Sequence, residues 1–185
     1  SIRLDGIDLR EMDPRDIRRR IGTVLQDVFL FSGTIDRNIR LGDETIPKER
    51  MVGAARVANA ERFIARLPEG YDHVLRERGA GLSAGEKQLL AFSRALAADP
   101  EIFVLDEATS NIDSETEALI QEALERILVG RTSLVIAHRL STIRNVDRIV
   151  VLHHGRIREE GTHEELLARD DIYKTLYDLE YRNAE

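Results

Sequence analysis

The sequence predicts an α/β fold with a mostly parallel sheet, and three observations carry that prediction. Ile102-Phe103-Val104-Leu105 is an unbroken apolar run, as a strand buried on both faces of a parallel sheet requires. A second such run covers residues 133–137. Segments of helical periodicity separate these runs, and strands that alternate with helices build a parallel sheet through crossover connections.

The elements follow in order along the chain. Residues 3–9 alternate loosely, which predicts a strand or an edge hairpin. Asp13 followed by Pro14 reads as a helix start, with a capping carboxylate and proline at the first helical position. Ile21-Gly22-Thr23-Val24-Leu25 is a short strand that ends at Gln26. Residues 27–34 form a loop rich in apolar side chains, and exposed apolar loops mark interfaces. Residues 47–66 turn helical, with Met51, Ala54, Ala55, Ala58, Phe63 and Ile64 recurring at helical spacing, until Pro68-Glu69-Gly70 breaks the pattern. A charged, then glycine-rich stretch over 76–85 opens into a helix over 86–98, which Asp99-Pro100 ends. Ser114-Glu115-Thr116-Glu117 predicts a capping box, and its helix carries Ile120, Ala123, Leu124, Ile127 and Leu128 on one face. Gly155 between two short runs predicts a hairpin, and Thr162-His163-Glu164-Glu165 a further capping box that leads a C-terminal helix pair. The expected organisation is a core of residues 1–45 and 99–185 with a helical subdomain over 46–98.

Composition narrows the function classes. A net charge of −7 argues against sequence-independent nucleic-acid binding, which needs a basic surface to neutralise phosphates. The local cluster Arg18-Arg19-Arg20 reads as a solvated helix face. A chain without cysteine has neither disulfides nor thiolate metal sites, as suits a reducing compartment. Its apolar runs fall short of the ~18–20 residues of a membrane-spanning helix. Ser1-Ile2-Arg3-Leu4-Asp5 lacks the basic head and apolar core of a signal peptide.

Four features carry chemistry. Asp106-Glu107 ends the strand of residues 102–105, and ligands bind at that edge of an open α/β sheet. In P-loop ATPases an aspartate there helps to hold Mg²⁺, and an adjacent acid orients or deprotonates the attacking water. The plainer reading is a polar pair that meets solvent. Leu82-Ser83-Ala84-Gly85-Glu86-Lys87-Gln88 places small residues before a helix, where free N–H groups and the helix dipole suit an anion. There the plainer reading makes Ser83 an N-cap. His138 follows the strand of residues 133–137, where an imidazole N–H can donate to a γ-phosphate. Gln26 also stands at a strand end, and its side-chain oxygen can reach a metal or a water.

Together these features resemble the nucleotide-binding domain of ABC transporters. Gln26 in Val24-Leu25-Gln26-Asp27 resembles the Q-loop, and Leu82 to Gln88 the signature loop. Asp106-Glu107 resembles Walker B, Ser110-Asn111-Ile112-Asp113 the D-loop, and Ala137-His138-Arg139 the H-loop. Order and spacing match along essentially the whole chain. Phe29-Leu30-Phe31-Ser32-Gly33-Thr34-Ile35 with Asn38-Ile39, and Glu77-Arg78-Gly79, resemble two segments of exporters that touch the membrane domain.

The resemblance implies a P-loop NTPase-like core, ATP and Mg²⁺ as ligands, and ATP hydrolysis coupled to export. It implies Glu107 and His138 as catalytic residues, with Asp106 and Gln26 as metal ligands at the subunit's own nucleotide. Ser83, Gly85 and Asp113 would face the nucleotide of the opposite subunit. The expected partners are a second ABC subunit and the transmembrane domain, at the cytoplasmic face of the cell membrane. The Walker A pattern G-x-x-x-x-G-K-S/T does not occur in the 185 residues, so the sequence reads as a C-terminal portion, truncated at its N-terminal side and inactive alone. The signature departs from the family's L-S-G-G-Q at Ala84 and Glu86 while Glu107 is retained, which favours a heterodimer over a homodimer. Two alternatives stand beside this reading: a non-enzymatic interaction module, and a soluble ABC ATPase of repair or translation.

Overall fold

The computed structural model describes residues 1–106, 112–137 and 140–183. The chain divides into two compact units, Ser1–Ile136 and Ala137–Glu185.

The first unit opens with β1 (Arg3–Leu4) and β2 (Ile7–Asp8), an antiparallel hairpin that turns at Gly6, where φ is +84°. Helix α1 (Pro14–Arg20) begins as its sequence predicts, with the Asp13 side chain accepting from the Arg15 N–H. It leads into β3 (Ile21–Val24), followed by β4 (Gly33–Thr34), α2 (Ile35–Arg40), α3 (Lys48–Val57), α4 (Glu61–Ile64), β5 (Val74–Leu75) and α5 (Ala84–Ala97). Then come β6 (Ile102–Asp106), α6 (Ser114–Leu128) and β7 (Thr132–Ile136).

Strands β3, β6 and β7 form a parallel sheet in the order β3-β6-β7, with Val24 opposite Leu105 and Asp106 opposite Ile136. Gly22, Val24, Phe103, Leu105 and Val135 lie on one face, and Val24, Phe103 and Leu105 are buried. Helix α5 packs against β3, α3 and α6, and their apolar residues join these strands in one core. The sequence predicts burial on both faces for residues 102–105. Instead burial alternates along β6, because Phe103 and Leu105 join the core while Ile102 and Val104 stay half-exposed.

Three further expectations change. The helix expected over 47–66 is two helices, parted at Ala58-Asn59-Ala60, where Asn59 has a φ of +58°. Helix α5 starts two residues before the expected Glu86, because Ser83 caps it. The cap of α6 is Asp113 rather than Ser114, since its carboxylate reaches the Thr116 N–H and leaves Ser114 as the first helical residue.

The second unit contains α7 (Leu140–Ile143), an antiparallel hairpin of β8 (Ile149–His153) and β9 (Arg156–Gly161), and helices α8 (His163–Arg169) and α9 (Ile172–Asn183). Thr162 and Glu165 close the predicted capping box of α8. Ile149, Val151, Leu166 and Tyr173 form its small core. Buried Glu159 accepts from the Tyr173 N–H at 2.7 Å and so caps the start of α9.

Candidate functional site

The predicted site residues of the first unit fall into two groups. The first lies at the C-terminal edge of the parallel sheet. Asp106 is the last residue of β6 and is half-buried, while Gln26 follows β3 by two residues and is exposed. Because β3 and β6 are paired in parallel register, both side chains belong to the sheet edge where α/β folds bind ligands. A carboxylate and a side-chain amide oxygen are hard donors that fit a small divalent cation. Glu107 and His138 lie outside the described residues, as do Ser110 and Asn111.

The second group is built on two helix N-termini. Ser83 Oγ accepts from the Glu86 N–H at 3.2 Å, and the Glu86 carboxylate accepts from the Ser83 N–H at 2.9 Å. This capping box turns Glu86 back on its own backbone, away from an approaching anion. It engages the Ser83 oxygen only as an acceptor, so the exposed hydroxyl keeps its proton to donate. Ala84 is the first residue of α5 and has no positive φ, so alanine carries no backbone penalty there. Neither departure from the family's signature therefore strains the backbone of the loop.

Gly85 is buried where α5 meets α6. A Cβ at this position would lie 2.0 Å from Thr116 Cγ2 and 3.3 Å from Ile112 Cγ2. Thr116 donates its N–H to Asp113, at 2.9 Å. The contact therefore brings Ser83, Gly85 and Asp113 together, with the two helix starts side by side. The N–H of Thr116 on its carboxylate lowers the pKa of Asp113 from the ordinary aspartate value.

Next to α5 stands the apolar loop. Leu30 is fully buried, whereas Phe29 and Phe31 remain 53% and 52% exposed, with their rings edge to face at 5.0 Å. Strand β4 pairs with β5, which brings the Glu77-Arg78-Gly79 turn beside this loop. Gly79 has a φ of +65°, and a Cβ there would meet Leu30 Cδ1 at 2.6 Å. The two segments that resemble membrane-domain contacts thus form one surface, which also includes exposed Val74.

Two residues beneath this surface tie it down: Asn38, which the sequence marks only as part of the exporter-like segment, and Arg94, to which it gives no role. Buried Asn38 accepts from the Phe31 N–H at 2.9 Å and donates to the Phe31 and Thr34 carbonyls. Arg94 donates to the carbonyls of Phe29 and Asn38 and to the Asn38 side chain. Its guanidinium lies 5.8 Å over the Phe31 ring, and burial lowers its pKa from the ordinary arginine value. A signal for Asn38 existed, since it shares a helical face with Ile35 and Ile39.

An open cavity of about 500 Å³ between α4 and α6 is lined by Arg56, Asn59, Glu61, Arg62, Ala65 and Arg126. It contains none of the predicted site residues.

Residues 1–110 match the family model described as ABC transporter. The chain is 50% identical over 184 residues to an uncharacterised ABC transporter ATP-binding protein, YknV, of Bacillus subtilis. It is 51% identical over 182 residues to an ATP-dependent lipid A-core flippase of Syntrophus aciditrophicus. These alignments cover 100% and 98% of this chain but 30% of each relative. A solved bacterial Atm1-family ABC exporter with ATP bound superimposes with a TM-score of 0.86 at 41% identity, over 95% of this chain and 31% of that one. The family match takes in the exposed apolar loop, the capped signature helix and the acidic end of β6, and the chain belongs to the ABC transporter family.

Proposed function

We propose that this chain is part of the ATP-hydrolysing domain of an ABC exporter, at the cytoplasmic face of a membrane. Residues 46–98 would form its helical subdomain, and residues 1–45 and 99–185 its catalytic core. The observation that carries the reading is that Gln26 and Asp106 stand at the same end of two adjacent parallel strands. Their oxygens suit Mg²⁺, and when bound the cation neutralises phosphate charge. Glu107 follows Asp106 directly and would orient a water and accept its proton. His138 would donate to a γ-phosphate oxygen.

Ser83, Gly85 and Asp113 would serve a nucleotide held by a second subunit. Ser83 offers its hydroxyl, while Gly85 lets the helix start approach α6 closely. The departures from the family's signature at Ala84 and Glu86 beside a retained Glu107 favour a different chain as that second subunit; an active homodimer with two equal sites would overturn this. The Phe29-Leu30-Phe31 loop and the Glu77-Arg78-Gly79 turn would dock on the membrane domain, since the Phe29 and Phe31 rings stay exposed although the loop backbone is tied down. The lipid A-core flippase among the relatives supports export as the coupled process.

One experiment tests the catalytic reading. Phosphate release and ATP binding are measured on a full-length protein carrying this chain, on its Glu107→Gln variant and on the 185-residue polypeptide. The full-length protein is expected to turn over. E107Q is expected to bind ATP but lose at least about 100-fold in turnover, as removal of a general base does. The polypeptide alone is expected to release no phosphate above buffer. Wild-type turnover in E107Q removes Glu107 from the mechanism, and turnover by the polypeptide refutes its inactivity.

A further inference from the structure

We infer that Arg94 is a positioning residue that couples the exposed Phe29-Leu30-Phe31 loop to the signature helix, so that movement of the loop is carried along α5 to Ser83. The inference rests on the functional reading above, which places the loop at a docking surface and Ser83 at a nucleotide.

The geometry is that of a strut. Arg94 stands near the end of α5, and Ser83 caps the start of the same helix. The two are separated by about 16 Å along the axis, at the helical rise per residue. Between them α5 has no proline, and its buried face joins the main core, so it moves as one body. From its end Arg94 reaches three carbonyl oxygens: Phe29 at 2.8 Å, the Asn38 backbone at 3.0 Å and Asn38 Oδ1 at 3.3 Å. Asn38 in turn grips the Phe31 N–H and C=O. The loop backbone is therefore held on both sides of Leu30, at Phe29 directly by Arg94 and at Phe31 by Asn38 of α2, which Arg94 in turn holds.

The chemistry of the residue suits this task better than that of a filler. Burying a guanidinium carries a desolvation cost that an apolar side chain of similar size avoids. All three acceptors are neutral carbonyl oxygens of the loop region, and charge-assisted bonds to them offset that cost only in this arrangement. The Asn38 carbonyl is also among the last of α2, where the helix dipole favours a cation. A planar fork serves several acceptors at once, which a lysine ammonium on a flexible stem does less well. The exposed Phe31 ring lies 5.8 Å from the guanidinium, so a partner pressing on the ring presses on the strut.

The test is a double-mutant cycle on ATP turnover in the full-length protein, reconstituted in phosphatidylethanolamine–phosphatidylglycerol vesicles. Arg94→Met is expected to lower kcat about tenfold, within the usual range of coupling between sites, and to leave the KM for ATP within about twofold. Replacing Phe29 and Phe31 together by alanine is expected to lower kcat similarly. The combined variant should be no slower than the slower parent, because both changes cut one connection. A wild-type kcat in R94M, an additive combination, or a KM that rises as kcat falls overturns the inference. If R94M does not fold, Arg94→Lys takes its place in the same cycle. It keeps the charge and loses part of the fork, so kcat is expected to fall about fivefold, the low end for such coupling. An unchanged kcat in R94K likewise overturns the inference. A wild-type protein without ATP turnover would overturn the functional reading itself and this inference with it.

Discussion

At the scale of single residues, the signature region shows how one position can be dictated by a neighbour far along the chain. Gly85 is helical, so its backbone does not require glycine. What requires it is Thr116, whose methyl group occupies the space of a Cβ. Gly85→Ala gains helix propensity of about 1 kcal/mol but must displace Thr116 and Ile112, at a typical overpacking cost of about 1–3 kcal/mol. Urea unfolding is expected to show a net loss in G85A. Adding Thr116→Ser, which removes the clashing methyl, is expected to recover most of it; equal losses in both backgrounds would place the strain elsewhere. Ser83 and Glu86 contrast with this. Their capping box is local, three residues apart, and Ser83 as a cap was legible in the sequence. The inward turn of the Glu86 carboxylate was legible only in principle, because its distance from an anion depends on which partner the side chain finds.

At the scale of elements, strands and helix starts were legible because their signals are local. The apolar runs over 102–105 and 133–137 place β6 and β7 to within a residue, and Asp13-Pro14 places the start of α1. The break between α3 and α4 was not legible, because it is tertiary in origin. Asn59 adopts the left-handed region to send its amide to the Leu119 carbonyl and the Glu122 carboxylate of α6, while its oxygen accepts from Arg126. Asn59→Gly keeps the backbone freedom and loses only these bonds. Asn59→Ala loses the bonds and adds left-handed strain of about 1–2 kcal/mol. The expected order of stability is wild type, then N59G, then N59A. Chemical denaturation that ranks N59A above N59G would show that the backbone at this break is not what the side chain secures.

For the whole molecule, the division at Ile136 separates a large core from a small one. Among the described residues, the buried apolar side chains of the second unit are Ile149, Val151, Leu166 and Tyr173. So little apolar surface does not offset the conformational entropy of ordering a segment of this length. Residues 137–185 expressed alone are expected to give a circular dichroism signal without a cooperative thermal transition. A sharp transition in that fragment would show that the second unit folds by itself.

The sequence by itself determined the α/β class, the order of the parallel strands and of the longer helices, most helix starts, and the residue types that line the sheet edge and the signature loop. These rest on periodicity, capping and turn chemistry, whose partners lie within a few residues of one another. Only the tertiary structure decided that Gly85 answers to Thr116, that Gly79 makes room for Leu30, that Asn59 divides a helix, and that Arg94 binds the apolar loop to α5. In each case the deciding atom lies tens of residues away. Close packing and the satisfaction of buried polar groups act on what the folded chain brings together, whatever the separation in sequence.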